Sequence, residues 1–177
     1  NKIINAKNTL NKKPITADCL ITKERNQSLW IYTADCMPIL FADKKTRNVG
    51  ACHVGLKGLK NKIIEKMLAE IFAIGSKKDN LIIAIGPSIS GDNYQVKIKD
   101  VEQLIIDITG KKINKKTFNL IQSTQKKILT LLKKDCRSDR ALFNMQSAAI
   151  LQLRKEGIKK DQISFNNSCT YSNPKLF

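Results

Sequence analysis

Cys36 and His53 are the residues of this chain whose types and positions could do chemistry. They lie in two short segments, residues 33–38 (TADCMP) and 52–58 (CHVGLKG), and His53 is the only histidine among 177 residues. A thiolate and an imidazole are natural ligands for zinc and related metals. They are also the nucleophile and the base of cysteine enzymes. Because buried cysteines and lone histidines are often packing residues, the residue types alone leave three interpretations open.

Further candidate residues flank this pair. Asp35 precedes Cys36 and could orient a ligand or transfer a proton. Lys57 lies between two glycines before a predicted helix, where backbone N–H groups can face an anion. Gly86 and Pro87 follow an apolar run, and loops at the carboxyl ends of strands line ligand crevices in α/β folds. Neither glycine segment has the spacing of a nucleotide-binding loop, so ATP and NAD sites are not supported.

Length and composition favour one globular domain. The chain is 42% hydrophobic, which is enough apolar content for a buried core. No apolar run approaches the roughly 20 residues of a membrane helix, and the first residues show no signal-peptide pattern. The five cysteines are an odd, scattered set without a CxxC pair. This argues against a disulfide framework and for a reducing, cytoplasmic location.

The basic charge has two interpretations. A formal net charge of +17 is typical of proteins that bind nucleic acid. The basic residues are mostly lysines spread in pairs, however, and aromatic residues do not alternate with them to form a stacking platform. We therefore expect a solvated lysine surface rather than a nucleic-acid interface. Its field should attract small anions such as phosphate.

The hydropathy pattern predicts an α+β domain of mixed α/β layers. Predicted strands cover residues 17–22, 27–33, 37–42, 49–53, 81–85 and 163–166. Predicted helices cover residues 59–72, 100–108, 118–132 and 141–155, and residues 1–13 are expected to be irregular. On a regular strand Cys52 and His53 point to opposite faces. Cys52 is therefore assigned to the core, as is Cys19, and His53 to the site.

Taken together, these segments resemble a known family. The matching motifs are ADCLIT at 17–22, TADCMP at 33–38, HVGLKGL at 53–59, IGPSIS at 85–90, YQV at 94–96, Asn144 with Gln146, and CTY at 169–171. In this order they resemble the YfiH family, also called laccase-domain or polyphenol-oxidase-like proteins. The resemblance covers nearly the whole chain, and the Ala-Asp-Cys-x-Pro plus His-x-Gly pair is its most specific part.

The resemblance implies a fold, a metal site and an activity. The fold would be a single domain of mixed layers, with a distant likeness to cysteine-hydrolase toxins. Cys36 and His53 would be two ligands of a metal ion, zinc being better supported than copper. The implied partners are purine nucleosides and phosphate. The implied reactions are phosphorolysis of adenosine, inosine, guanosine and methylthioadenosine, and deamination of adenosine to inosine.

The residues help to weigh these implications. One histidine cannot hold the several copper ions of a laccase. An open Cys/His zinc site could activate water for attack on an adenine carbon, or position phosphate against the ribose. The sequence also departs from the family pattern. The third family ligand, a histidine, would precede Asn1, Leu56-Lys57 stand where Trp-Arg is usual, and the family continues past Phe177. We therefore expect residues 1–177 to form one YfiH-like domain, truncated at both ends, with an incomplete metal site.

Rival functions remain open. A metal-independent cysteine hydrolase would use Cys36 as nucleophile and His53 as base, and copper-dependent polyphenol oxidation is an older label for the family. A non-enzymatic basic module would bind nucleic acid. We expect no membrane partner, and a homo-oligomer is compatible with the sequence.

Overall fold

The computed structural model describes residues 2–6, 16–110, 112, 130–137 and 139–177, which form two β-sheets with four α-helices. The strands are β1 (Ile3–Asn5), β2 (Cys19–Thr22), β3 (Met37–Asp43), β4 (Val49–Val54), β5 (Leu81–Ile85), β6 (Gln95–Lys97), β7 (Leu132–Lys134), β8 (Arg140–Phe143) and β9 (Ile163–Phe165). The helices are α1 (Leu56–Lys60), α2 (Ile63–Ala73), α3 (Ile98–Thr109) and α4 (Met145–Lys155). The larger sheet has the order β1-β2-β4-β3-β5-β9 and the smaller sheet β6-β8-β7. The predicted α+β class is confirmed.

The two faces of the larger sheet have different environments. Met37, Ile39 and Phe41 of β3 are at most 2% exposed and belong to the hydrophobic core, to which α2 contributes. Leu40, between two of them, is 51% exposed. Because side chains alternate along a strand, one face of β3 packs against the core and the other is open. Cys36, the residue before Met37, is expected to point to this open face, because side chains alternate along an extended chain.

One predicted helix is divided in two. The apolar spacing of residues 59–72 predicts one helix, whereas α1 ends at Lys60 and α2 begins at Ile63. Lys62 between them has a left-handed φ of 57°, which a continuous helix cannot contain. Gly75 has a φ of 103° just after α2, as its predicted role at the helix end requires.

The predicted strand over residues 27–33 is wrong. These residues form no strand, and Trp30 and Tyr32 are 78% and 95% exposed. Aromatic and β-branched residues favour a strand only where a neighbouring strand pairs with them and covers them. Both edges of β3 and of β4 are already occupied by other strands. The segment therefore crosses the surface as irregular chain.

Two further predictions change in the second half of the chain. The helix predicted from residue 141 begins only at Met145, because residues 140–143 pair with both β6 and β7 as strand β8. Asn144 then caps α4 by accepting a hydrogen bond from Ser147 N at 2.9 Å. The helix predicted over 118–132 lies mostly outside the described residues, but its last residue, Leu132, belongs to β7.

The start of the chain also differs from expectation. Ile3–Asn5 is a strand that pairs in parallel with β2, where irregular chain is predicted. This pairing depends on a partner that the local sequence does not reveal. Residues 1 and 7–13 of the same prediction lie outside the described part. In the described ranges no helix combines the length and apolarity needed to cross a bilayer.

Cys19 and Cys52 form a disulfide, which corrects the expectation that the cysteines stay unpaired. They are directly opposite each other in antiparallel β2 and β4, with their Cα atoms 4.1 Å apart. Two cysteines far apart in the sequence become neighbours through this register. Both are fully buried, so their assignment to the core is confirmed. His53, the next residue after Cys52, faces the other way.

Candidate functional site

β3 and β4 bring Cys36 and His53 to the same face of the sheet. Pro38 is directly opposite His53 in the antiparallel register. Because side chains alternate, Cys36 and Pro38 share the open face with His53 and Gly55. A methyl carbon built on Gly55 would lie 2.7 Å from Cys36 Sγ, so the thiol lies directly over Gly55. Diagonal neighbours in such a ladder are about 7–8 Å apart, within reach of one shared ligand.

Asp35 connects three segments around this pair. Its carbonyl oxygen accepts a hydrogen bond from Ile89 N at 3.0 Å. Its carboxylate accepts one from Thr170 Oγ1 at 2.7 Å. The start of β3, the loop after β5 and the tail after β9 are therefore fixed to one another at the site.

The environment of Cys36 keeps its thiol protonated. Burial, and then the negative charge of Asp35, raise the pKa of Cys36. A free nucleophilic cysteine requires the opposite shift, towards the thiolate. The same environment suits a thiol that loses its proton to a bound cation, because the cation would supply the missing positive charge.

A cavity of 520 Å³ opens at the start of β3, where Asp35 and Pro38 line it but Cys36 and His53 do not. Its walls include Asp35, Pro38, Pro87, Thr170 and Phe177. This volume is in the range of cavities that hold small organic ligands, about 300–1,000 Å³. The walls combine apolar rings with the carboxylate of Asp35 and the hydroxyls of Thr33 and Thr170, so the cavity offers flat apolar surface and a few polar contacts.

The predicted substrate-binding residues have different places. Pro87 lines both the 520 Å³ cavity and an adjoining cavity of 320 Å³, and Gly86 lines the adjoining one. Gly86 also packs on Pro38, since a methyl carbon there would lie 2.6 Å from Pro38 Cγ. Lys57 is exposed on α1, two residues beyond Gly55 and outside the described walls of both cavities.

Two residues near the site have no role in the sequence interpretation. Thr170 holds Asp35, as described above. Tyr94 has a pKa raised by burial and then by the negative charge of the Cys36 thiolate. Both belong to motif segments that carry the family resemblance, YQV and CTY. The YQV and CTY motifs could have drawn attention to these two residues, but a motif does not show which residues contact each other.

Cys169 is a second buried thiol with an unusual environment. Its Sγ accepts hydrogen bonds from Ser90 N at 3.2 Å and from Asn93 Nδ2 at 3.4 Å. Burial alone would raise its pKa, but hydrogen bonds from Ser90 and Ser172 outweigh burial and lower the pKa to about 6. Cys169 is therefore largely a thiolate at neutral pH, held inside the link between the tail and the loop after β5.

The described residues supply only part of a metal site. Cys36 and His53 are donors of types that zinc accepts, whereas a catalytic zinc site has three protein ligands. Within the described ranges no group of three His, Cys, Asp or Glu side chains could hold a metal ion. The donor types fit zinc, but their number does not complete a site.

The chain matches a family model over its whole length. The model is described as "Multi-copper polyphenol oxidoreductase laccase" and matches residues 1–177. The chain therefore belongs to this laccase-like YfiH family, as its motifs indicate.

Curated relatives of this chain are named purine nucleoside phosphorylase rather than laccase. The chain is 32% identical over 174 residues to a purine nucleoside phosphorylase of Rickettsia conorii, covering 98% of this chain and 63% of the relative. It is 27% identical over 164 residues to a purine nucleoside phosphorylase of Synechocystis, covering 91% of this chain and 61% of the relative. The chain thus spans less than two thirds of the length of these relatives.

Solved structures support the fold. YfiH of Bacillus licheniformis superimposes with a TM-score of 0.72 at 24% identity, covering 88% of this chain and 52% of that chain. YlmD of Geobacillus stearothermophilus gives a TM-score of 0.74 at 21% identity, covering 97% of this chain and 57% of that chain. At these identities the likeness concerns the α+β fold.

Proposed function

We propose that this chain acts in the phosphorolysis of purine nucleosides. The observation that carries the proposal is the common face of Cys36 and His53, together with a cavity of 520 Å³ whose walls include their neighbours Asp35 and Pro38. The relatives named purine nucleoside phosphorylase support the choice of reaction. The proposed substrates are phosphate with adenosine, inosine, guanosine or methylthioadenosine.

The reaction needs groups that this cavity can provide. An oxygen of phosphate forms a bond to ribose C1′ while the C1′–N9 bond breaks, and the departing purine takes up a proton. The rings of Pro38, Pro87 and Phe177 offer flat apolar walls against which a purine can pack. Asp35 is proposed to orient or exchange that proton, and its hydrogen bond from Thr170 supports a fixed position of the carboxylate. The net charge of +17 draws phosphate towards the protein, and Lys57 adds to this field near the site.

The finer proposal concerns the metal and a second reaction. Cys36 and His53 are proposed as two ligands of zinc, with the remaining donors outside the described residues. Copper is less suited, because the only histidine of the chain cannot build a multi-copper centre. Deamination of adenosine is proposed as an additional activity, in which water adds at C6 of adenine and ammonia leaves.

The rival cysteine hydrolase has less support. It needs Cys36 as an activated thiolate with His53 as its base. The raised pKa of Cys36 opposes that role. The two hypotheses also differ in a simple measurement, because removing the metal with a chelator should stop the zinc enzyme and leave a metal-independent hydrolase active.

The test compares two site variants with one cysteine control in the full chain. Cys36→Ser and His53→Gln should lower the bound zinc and reduce phosphate-dependent release of hypoxanthine from inosine by about 100-fold or more. Cys136→Ser should keep both properties, because Cys136 is an exposed free cysteine that lines neither cavity. Zinc is measured by mass spectrometry of the protein and hypoxanthine by chromatography.

Two results would contradict the proposal. Unchanged zinc content in both site variants would exclude Cys36 and His53 as ligands. Hypoxanthine release at the same rate without phosphate would exclude phosphorolysis. Deamination is followed separately, as conversion of adenosine to inosine in phosphate-free buffer.

A further inference from the structure

The hydrogen bond between Thr170 and Asp35 is part of a closed ring of contacts. Thr170 Oγ1 donates to Asp35 Oδ1 at 2.7 Å. Thr170 N donates to Ser88 O at 3.2 Å, and Ile89 N donates to Asp35 O at 3.0 Å. Ser88 and Ile89 are neighbours in the loop after β5, so this loop holds the backbones of both Thr170 and Asp35. The side-chain hydrogen bond between these two residues closes the ring.

The tail that carries Thr170 is itself fixed at Cys169. Ser88 and Cys169 form a parallel bridge, and Ser90 N donates to Cys169 Sγ at 3.2 Å. Asn173 Nδ2 donates to Cys169 O at 2.8 Å. These contacts hold the residue before Thr170 through both its side chain and its carbonyl oxygen. The Thr170 hydroxyl therefore has a fixed position relative to the loop that also holds Asp35.

Asp35 keeps one carboxylate oxygen for a ligand. Thr170 binds Oδ1, and among the described residues none donates a hydrogen bond to Oδ2. Both residues line the cavity of 520 Å³, and Asp35 is exposed there. An ionised carboxylate oxygen only accepts hydrogen bonds, so Oδ2 can bind an N–H or O–H group of a ligand. The bond from Thr170 restricts the rotation of the carboxylate that would move Oδ2.

The chemistry of threonine suits this role. A hydroxyl has a single hydrogen, which Thr170 gives to Asp35. A hydrogen bond to an ionised group is shorter and stronger than one between neutral groups. A group that contacts reacting atoms must be held within a fraction of an ångström, and a small displacement of such a group slows a reaction strongly. Removal of the Thr170 hydroxyl should therefore be felt through Asp35.

We propose that Thr170 is a positioning residue that acts on the reaction through Asp35. This role rests on the proposed phosphorolysis, in which the Asp35 carboxylate contacts the departing purine. Thr170 holds Oδ1 of Asp35, and Oδ2 accepts a hydrogen bond from the substrate. The contact gains strength as the purine departs, so loss of the Thr170 hydroxyl lowers kcat more than it raises KM.

Steady-state kinetics of phosphate-dependent hypoxanthine release from inosine by the full chain test this role. Thr170→Val keeps the shape of the side chain without its hydroxyl, and its kcat should fall about tenfold or more while KM changes less than about threefold. Thr170→Ser retains a hydroxyl and should keep about half of the wild-type kcat or more. Ser168→Ala removes a hydroxyl from the same tail that lines neither the 520 Å³ nor the 320 Å³ cavity, and it should match the wild type.

A double-mutant cycle separates positioning from a structural role of Thr170. Asp35→Ala should lower kcat, and adding Thr170→Val to it should lower kcat by about twofold at most, because the two residues act as a unit. Losses that multiply in the double variant would overturn the assignment. An unchanged kcat in Thr170→Val would overturn it as well.

Crystal structures of the Thr170 variants provide a second measurement that needs no turnover. The Asp35 carboxylate should change position in Thr170→Val and stay in place in Thr170→Ser. A carboxylate that stays in place in Thr170→Val would overturn the positioning role whatever the reaction is. A displaced carboxylate in Thr170→Val, together with a wild type that has no phosphate-dependent turnover, would support the positioning of Asp35 and reject the phosphorolysis.

Discussion

Gly55 leaves the space that the Cys36 thiol occupies. Its backbone is extended, with a φ of −103°, so another residue could adopt its conformation without strain. The contact with Cys36 Sγ is the constraint, because a methyl carbon would come within 2.7 Å of it. We predict that Gly55→Ala displaces the thiol, lowers bound zinc and reduces nucleoside turnover at least tenfold. Zinc content and hypoxanthine release measure this effect.

Gly50 provides the control for that prediction. It lies on β4, which ends one residue before Gly55, but a methyl carbon there would clash with the end of the Met67 side chain in the core. Gly50→Ala should therefore lower the free energy of unfolding by about 1–3 kcal/mol through overpacking, while zinc and turnover stay near wild type. Normal zinc binding by Gly55→Ala would show that the thiol position over Gly55 does not matter.

Single residues could be predicted from the sequence only where their type is rare or their flanks are distinctive. Cys36 and His53 meet that condition. The hydrogen bond between Asp35 and Thr170 joins residues 135 positions apart, and no local pattern encodes it. The effect of Cys36 on the pKa of Tyr94 likewise joins residues 58 positions apart. Contacts of this kind arise from the fold and were missed for that reason.

At the scale of elements, the tail after β9 is attached to the loop after β5 through Cys169. Ser88 and Cys169 form an isolated parallel bridge, and Ser90 N donates to Cys169 Sγ. The pKa of Cys169 is about 6, below its ordinary value of 9.0. Because the folded-state pKa is lowered, the thiolate stabilises the folded protein fully above pH 9. That stabilisation is lost as the pH falls towards 6.

We predict that this attachment makes stability depend on pH. Between pH 6 and pH 9 the wild type should gain about 3 kcal/mol more free energy of unfolding than Cys169→Ser, whose hydroxyl does not ionise in this range. Chemical denaturation at several pH values measures the difference. Cys136→Ser, which changes an exposed cysteine, should keep the slope of the wild type. Parallel slopes for the wild type and Cys169→Ser would contradict the lowered pKa.

Elements were predictable where local pattern and tertiary pairing agree. The near-continuous apolar run of β5 and the short strand β9 are examples. Residues 27–33 have the composition of a strand but no strand edge beside them, and edge availability is a property of the whole sheet. Residues 140–143 could continue a helix by composition alone. Their pairing with β6 and β7 on both sides makes them a strand instead.

At the scale of the whole molecule, the larger sheet joins distant parts of the chain. Ile83 pairs with Ile163 and Ile3 with Cys19, both in parallel, and neither pairing follows from neighbouring sequence. The resemblance to a family implied a domain of mixed layers, but it did not predict these pairings. The same long-range order brings Cys19 opposite Cys52, and the disulfide between them bears on the stability of the whole fold.

The disulfide leads to the last prediction. It joins residues 33 positions apart, and a cross-link over a loop of that length stabilises a folded protein by about 3–4 kcal/mol. Adding a reductant should therefore lower the free energy of unfolding of the wild type by that amount. The double variant Cys19→Ala with Cys52→Ala should not respond to the reductant, and Cys136→Ser should respond like the wild type.

Counting free thiols on the unfolded chain is a second measurement, with three free thiols before reduction if Cys36, Cys136 and Cys169 are the unpaired cysteines. Five free thiols without reductant, and no change in stability on adding it, would show that Cys19 and Cys52 are packed as reduced core residues. That outcome would support the reducing, cytoplasmic location that the cysteine pattern of the sequence predicts.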